Sequence, residues 1–233
     1  MSNLGNWPDP IETMQAQTNA VLLSFSMGKD SIAAWLAIRD KFERIEPYYL
    51  YLIPGLEFID EALAYWQKVM GQKIHQLPHP SLYRQLNAFV FQPPERCAII
   101  EKANLPDFDY EDVNRIVRED VGLDAKAYCA TGVRAADSPM RRMHFVKRGP
   151  VMHSRKLFYP VWDWTKDDVI TAISSAGVKL PKEYKWFGRS FDGLDLRFLL
   201  PLKRHAPRDY ARVLEWFPLA DLEVFRYEHR AQG

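Results

Sequence analysis

Cysteine is nearly absent from this chain: only Cys97 and Cys129 occur among its 233 residues. Two isolated thiols build no disulfide framework, and without a Cys-x-x-Cys pair there is no zinc-ribbon spacing. An iron–sulfur cluster takes four thiolates, which this chain cannot supply alone. His75 and His79 flank Pro78 but lack third and fourth zinc ligands, so no zinc is expected. Charge of one sign is lacking too. Lys and Arg number 31 against 30 Asp and Glu, a net +1. No whole-molecule field then draws the chain to nucleic acid or membrane, and any anion site must arise locally. Long hydrophobic runs are missing, none reaching the roughly 18 residues of a membrane span. The segment from Met1 to Thr18 is polar, contains Pro8 and Pro10, and has no apolar signal core. Repeats and low-complexity tracts are also missing. These absences lead to the expectation of a soluble, reduced, cytoplasmic protein of a cell or of a virus growing in one.

What is present is a hydrophobic fraction of 47%, enough for one sizeable core plus an appendage. Val21-Leu22-Leu23, continued by Ser24-Phe25-Ser26, reads as a buried strand. Asp30 to Phe42 reads as a helix with Ile32, Trp35 and Leu36 on one face and Asp30 or Ser31 as its cap. Pro47 to Ile53 predicts a second strand, Glu57 to Met70 a second helix, and Lys73 to Leu77 a third strand. Residues 81–122 read as mainly helical. Lys126 to Thr131 predicts another strand, Gly132 to about Arg142 a loop, and Thr165 to Ala176 a helix capped by Thr165. Helices are expected near 191–202 and 207–216. The β-α-β-α-β order predicts an α/β, doubly wound, mostly parallel sheet. The expected division is an N-terminal segment 1–18, a nucleotide-binding domain 19–178, and a helical C-terminal extension 179–233 packed on it.

The most informative segment is Ser24-Phe25-Ser26-Met27-Gly28-Lys29-Asp30-Ser31, between the first strand and the first long helix. A helix N-terminus at the carboxyl end of a parallel strand offers backbone N–H groups and partial positive charge to a phosphate. Gly28 admits close approach of the backbone, Ser24, Ser26 and Ser31 add hydroxyls, and Lys29 adds a point charge. Asp30 suits the helix cap or a magnesium ion. This is not a Walker A loop, which needs glycine at position 23 and Ser or Thr at position 30; here they are Leu23 and Asp30.

Ser-x-Gly-Lys-Asp-Ser closing the first strand resembles the PP-loop of the ATP pyrophosphatases and PAPS reductase-like proteins, and is especially similar to the small subunit of ATP sulfurylase. A second landmark of that superfamily is matched by Gly132-Val133-Arg134-Ala135-Ala136-Asp137-Ser138-Pro139-Met140-Arg141-Arg142. A third is matched by Pro160-Val161-Trp162-Asp163-Trp164-Thr165-Lys166-Asp167-Asp168-Val169. The resemblance spans about residues 20–175 and implies an adenine nucleotide alpha hydrolase-like fold of the HUP type. It also implies ATP and Mg2+ as cofactors, with Ser24, Ser26, Gly28, Lys29 and Ser31 on the leaving pyrophosphate and Asp30 on the metal. Arg134 and Arg141 would hold the α-phosphate or an acceptor anion, with Arg142 as the alternate for Arg141. Gly55, Gly132 and Ser138 complete the implied binding set, Asp137 and Ser138 by ordering the loop. The third landmark is expected to pack and cap rather than touch substrate.

The segment from Arg134 to Lys156 carries seven Lys or Arg against one acid, Asp137. Arginine forks suit phosphate and sulfate, although Lys147, Arg148 and Lys156 read equally as a solvated basic face. Two departures from the superfamily stand out. The second strand normally ends in an Asp-Thr-Gly type sequence, and here Ile53-Pro54-Gly55 keeps the glycine and loses the acid, with Glu57 as a substitute. The sulfonucleotide reductases carry a catalytic cysteine near the C-terminus, and no cysteine follows Cys129. Their thiolate has no chemical substitute, so the resemblance implies ATP cleavage between the α- and β-phosphates, with adenylylation of an unidentified acceptor and release of pyrophosphate. The alternatives are a sulfonucleotide reductase using Cys97, and a non-catalytic nucleotide-binding subunit. The latter has a parallel in the ATP sulfurylase small subunit, which acts with a GTPase partner. Tyr184, Lys185, Trp186, Phe187 and Arg189 are suited either to stacking on nucleic acid or to forming core and rim.

Overall fold

The computed structural model describes residues 4–230, with the side chain of Arg230 left aside; Met1–Asn3 of the expected N-terminal segment and residues 231–233 lie outside the described residues. The chain opens with α1 (Pro10–Gln15), β1 (Ala20–Ser24), α2 (Lys29–Ile38), β2 (Arg44–Tyr51), α3 (Glu57–Met70) and β3 (His75–Pro78). It continues with α4 (Pro80–Asn87), α5 (Pro94–Ala103), α6 (Tyr110–Asp120), β4 (Cys129–Ala130), α7 (Pro139–Arg148), β5 (Val151–Met152) and β6 (Leu157–Phe158). The last elements are α8 (Lys166–Ser175), α9 (Tyr184–Phe187), α10 (Leu196–His205), α11 (Pro207–Trp216) and α12 (Asp221–Arg230).

The six strands form one mostly parallel sheet in the order β3-β2-β1-β4-β6-β5. Ala20 pairs with Arg44 and Ser24 with Tyr48, in parallel. On its other side β1 pairs in parallel with β4, Leu22 opposite Cys129, and β4 pairs in parallel with β6. Only β5 is shown antiparallel, against β6. Val21, Leu22 and Leu23 are all fully buried, as a parallel strand covered on both faces requires. The strand order reverses beside β1: the chain first builds outward through β2 and β3, then returns to add β4 on the other side. The carboxyl ends of β1 and β4 therefore flank the switch point at which open parallel sheets bind ligands.

Two compact units are present: residues 4–49, Lys73–His75 and Tyr110–Leu180 in one, and Leu50–Gln72, Gln76–Asp109 and residues 181–230 in the other. In the first, Ala135, Phe145, Tyr159 and Trp162 form a buried cluster against which Leu4, Val133, Met152 and Leu157 pack. In the second, Phe58 on α3 meets Trp186, Phe187 and Phe191 edge-on at 5.8–6.3 Å between ring centroids. Trp186 and Phe187 are thus largely packing residues. Among the described residues, no helix is long and apolar enough to cross a membrane.

Several sequence expectations are corrected. The helix after β1 begins at Lys29 with Gly28 as its N-cap, so neither Asp30 nor Ser31 caps it. It also ends at Ile38 rather than Phe42. The second strand starts at Arg44, three residues early, because pairing with Ala20 extends it into charged sequence. His75 lies in β3, and His79 caps α4, its ring accepting from the Ser81 amide at 3.0 Å. The stretch expected as loop to Arg142 becomes helical at Pro139, because Ser138 caps α7 and Pro139 presets the first helical φ. Strands β5 and β6 went unforeseen; each has two residues, too few for an alternation to register.

Candidate phosphate-binding site

The loop between β1 and α2 is built from its strand outward. The Phe25 amide donates to the Tyr48 carbonyl at 2.8 Å, extending the β1–β2 register one step beyond Ser24. The turn itself is made at Met27, whose φ of +59° lies in the left-handed region, while Gly28 has φ −70°. A non-glycine residue at positive φ is uncommon, and the Met27 side chain is buried, which holds it there. The Ser26 hydroxyl lies 3.3 Å from the Gly28 amide and 3.2 Å from the Ser31 hydroxyl. The Ser31 hydroxyl donates to the Gly28 carbonyl at 2.9 Å. No side-chain cap bond is made by Gly28 at the start of α2, which leaves the helix end facing the switch point without a protein side chain as its N-cap acceptor.

Gly132, just after β4, packs directly on this helix end. A Cβ there would lie 2.4 Å from the Asp30 carbonyl oxygen and 2.7 Å from the Ser31 nitrogen. Only glycine lets the two strand-end loops approach this closely, so Gly132 acts through backbone packing.

The charged residues of the two loops form a chain of alternating sign. The Lys29 ammonium donates to one Asp30 oxygen at 2.5 Å. The other Asp30 oxygen lies 2.8 Å from Nε of Arg134. That pair makes a charge contact whose angles fall short of a hydrogen bond, since both atoms lack a directed partner. Arg134 is only 4% exposed. Its Nη2 pairs with Asp137 at 2.9 Å and its Nη1 donates to the Trp164 carbonyl at 3.2 Å. Asp137 turns its other oxygen to both the Arg134 amide at 2.9 Å and Arg141 Nη1 at 2.7 Å. Lys29, Asp30, Arg134, Asp137 and Arg141 are thus linked in sequence. Arg141 is half exposed at the far end, in the first turn of α7, where its amide donates to the capping hydroxyl of Ser138 at 3.2 Å.

The expected residues therefore fall into distinct settings. Ser26, Gly28, Lys29, Asp30, Ser31, Gly132, Arg134 and Arg141 belong to one connected arrangement, and Ser138 serves it as a helix cap. Ser24 is half-buried at the end of β1 and its side chain bonds the Tyr48 phenol. Gly55 belongs to the other unit, with φ +73° and the Arg212 guanidinium against it. There the Arg212 Nε donates to the Pro54 carbonyl at 3.0 Å. Glu57 does not stand in for the missing acid by any contact seen here. Its amide instead donates to the buried Asp209 carboxylate at 2.5 Å, so a carboxylate from α11 caps α3. Burial raises the Asp209 carboxyl above its usual range. Asp137 as a bridge between two arginines was missed in the sequence, although the Arg134–Asp137 and Asp137–Arg141 spacings of three and four are those of facing residues on a helical turn.

Beneath the loop, the Tyr48 phenol donates to the Asn114 side-chain oxygen at 2.9 Å and lies 3.6 Å from Cys129 Sγ. Burial pushes the Tyr48 phenol well up and the Cys129 thiol up to about 11. Cys129 is therefore a protonated core thiol at neutral pH. Cys97 lies on α5, its thiol 3.8 Å from the Gln92 carbonyl. Among the described residues there is no group of three or more His, Cys, Asp or Glu side chains arranged to hold a metal ion.

No protein-family model matches the chain, and no curated protein matches it significantly. Solved structures similar to it include the U34-tRNA thiolase NcsA from Methanococcus maripaludis with its 4Fe–4S cluster, at 16% identity and a TM-score of 0.46 over 91% of this chain and 76% of that one. Phosphoadenylyl-sulfate (PAPS) reductase from Candida auris, in a phosphate complex, is similar at 14% identity and a TM-score of 0.41, over 80% of this chain and 88% of the other. NH3-dependent NAD synthetase from Campylobacter jejuni, in complex with nitrate, is similar at 12% identity and a TM-score of 0.43, over 95% of each chain. At this degree of likeness, what the chain binds has to be read from its own residues.

Proposed function

We propose that the chain is a PP-loop enzyme that binds ATP at the β1–α2 loop, cleaves it between the α- and β-phosphates and transfers AMP to an acceptor. The observation carrying this reading is the N-terminus of α2, which has no side-chain cap and stands at the switch point between β1 and β4. It has Lys29 beside it, and Gly132 closes the backbone around it. Backbone amides and the helix dipole would take the β- and γ-phosphates, with the Ser26 and Ser31 hydroxyls adding donors. Lys29 would exchange Asp30 for a phosphate oxygen, a stronger charge-assisted partner. Arg134 would keep the Asp30 carboxylate in place rather than touch the nucleotide, since its guanidinium is buried and engaged on three sides. Arg141 would be the arginine free to turn toward the α-phosphate or the acceptor.

In the reaction an acceptor oxyanion attacks the α-phosphorus, the bond from that phosphorus to the bridging oxygen breaks, and pyrophosphate leaves with the bond's electron pair. Such transfer is chiefly a matter of position and charge neutralisation. Mg2+ fits the donor set as an ion held mainly by the nucleotide's own phosphates, which needs only one or two protein carboxylates. Asp30, 29% exposed at its side chain, is the residue that would hold it. When bound, the ion would neutralise charge on the phosphates. A reductase reading would have to use Cys97 on α5, since Cys129 is fully buried in the core. The test is pyrophosphate release from ATP by wild type and by Lys29→Ala. Release by wild type that the variant loses supports the reading, whereas binding of ATP unchanged by the substitution overturns it.

A further inference from the structure

The amino-terminal edge of the same sheet holds a second cationic site. Arg118, in the last turns of α6, is 6% exposed, yet no carboxylate pairs with it among the described residues. Its Nε donates to the Ala127 carbonyl at 2.7 Å, and its Nη2 is buried with no hydrogen-bond partner. A buried, uncompensated guanidinium N–H costs free energy in any folded chain. Arg118 as a residue lines a cavity of about 460 Å³, within the ordinary size range of small-molecule sites.

The walls divide by what they already bind. Glu111 pairs with Arg155 at 3.0 Å, and Asp112 and Glu119 pair with Arg115 at 3.1 and 3.6 Å. Those acids are answered within the wall. Arg118 and Lys156 are the two cations lining the cavity without a carboxylate partner among the described residues. Lys156 spends one of its three donors on the Ala125 carbonyl at 2.7 Å. It sits immediately before β6, and Ala125 and Ala127 precede β4, whereas the phosphate loop and Gly132 follow β1 and β4. The two sites are at opposite ends of the strands.

The geometry points to a binding site here for a small molecule bearing an oxyanion group, a phosphate or a carboxylate, received by the Arg118 fork and the Lys156 ammonium. A planar guanidinium with a vacant edge suits such a group. Burial lowers the Arg118 guanidinium from its usual range, the effect a bound anion would offset. This inference does not depend on the proposed ATP cleavage.

The test is an NMR titration of the full-length labelled protein with inorganic phosphate, and separately with acetate. It follows the Arg118 side-chain Nε–Hε signal and the Ala125, Ala127 and Lys156 amides. Saturable shifts at these positions with at least one of the two anions are expected, and the anion that saturates identifies the group. The shifts should persist in Lys29→Ala, whose phosphate loop is impaired, and should need at least tenfold more anion in Arg118→Gln. Should Arg118→Gln fail to fold by circular dichroism, Lys156→Gln takes its place, with a severalfold weakening expected. Absence of saturable shifts at Arg118 with both anions, or loss of them in Lys29→Ala, would overturn the assignment.

Discussion

The Arg134 guanidinium lies 2.8 Å from the Asp30 carboxylate, joining the loop after β4 to the first turn of the helix after β1. Two segments about a hundred residues apart in sequence thus share one buried charge contact. Arg134 also binds Asp137 and the Trp164 carbonyl, so removing it would leave Asp30 to Lys29 and Asp137 to Arg141 and a backbone amide. Arg134→Ala should destabilise the protein by about 1–3 kcal/mol, through the lost charge-assisted contacts of a buried guanidinium. Arg141→Ala, half exposed, should cost less than about 1 kcal/mol. Urea unfolding of the two variants compares them, and equal small losses would remove the buried latch from the account.

Arg141 should instead show itself in turnover. A contact with phosphate worth about 1.5–3 kcal/mol would slow Arg141→Ala by roughly ten- to a hundredfold if it tightens in the transition state. Lys147→Ala and Arg148→Ala alter exposed residues later on α7 and should cost within about 0.5 kcal/mol. ATP-dependent turnover at fixed ionic strength separates them.

Gly132→Ala tests the closeness of the two loops. Its Cβ would collide with backbone atoms of Asp30 and Ser31 at 2.4–2.7 Å, and backbone cannot rotate aside as a side-chain end can. Overpacking of this kind costs about 1–3 kcal/mol. Calorimetry should show nucleotide affinity reduced along with the melting temperature, and unaltered affinity would free Gly132 from the site.

The thiols should be dispensable. Cys129, with its thiol raised to about 11, should resist iodoacetamide in the native protein at pH 7 and react only on unfolding. Cys97→Ser combined with Cys129→Ala should retain any nucleotide-cleaving activity. A folded double variant without turnover would favour thiol chemistry instead.

Stability should fall with rising pH through Glu183, which is buried in the second unit and has an oxygen without a partner. Burial raises its carboxyl to about 7 from a usual value of 4.5. Between those values the folded state holds a proton that the unfolded state has released, so stability is full below the lower value and is lost as pH rises through the upper one. The loss should approach about 3 kcal/mol at most. Glu183→Gln should flatten the profile of melting temperature against pH between about 4.5 and 7, and an unchanged slope would assign the dependence to other groups.

The sequence by itself determined the parts of this protein whose physics is local. The apolar run Val21 to Leu23 read as a buried strand and is one, and the segment Glu57 to Met70 read as a helix and is α3 to the residue. Thr165 with Asp168 marked the start of α8, and both cap bonds are present. Ser-x-Gly-Lys-Asp-Ser after an apolar strand was enough to place the turn between β1 and α2. Tertiary structure decided what depends on distant partners. It turned Arg134 inward, because Asp30, Asp137 and the Trp164 carbonyl together satisfy a guanidinium that the motif alone had pointed at a ligand. It put the positive φ on Met27 rather than Gly28, and it made Gly132 a packing residue. It also left Arg118 buried without a carboxylate partner among the described residues, which no pattern along α6 reveals. A helix or strand declares itself in the order of its residues, whereas the partner of a buried charge is set by which segments the sheet brings side by side.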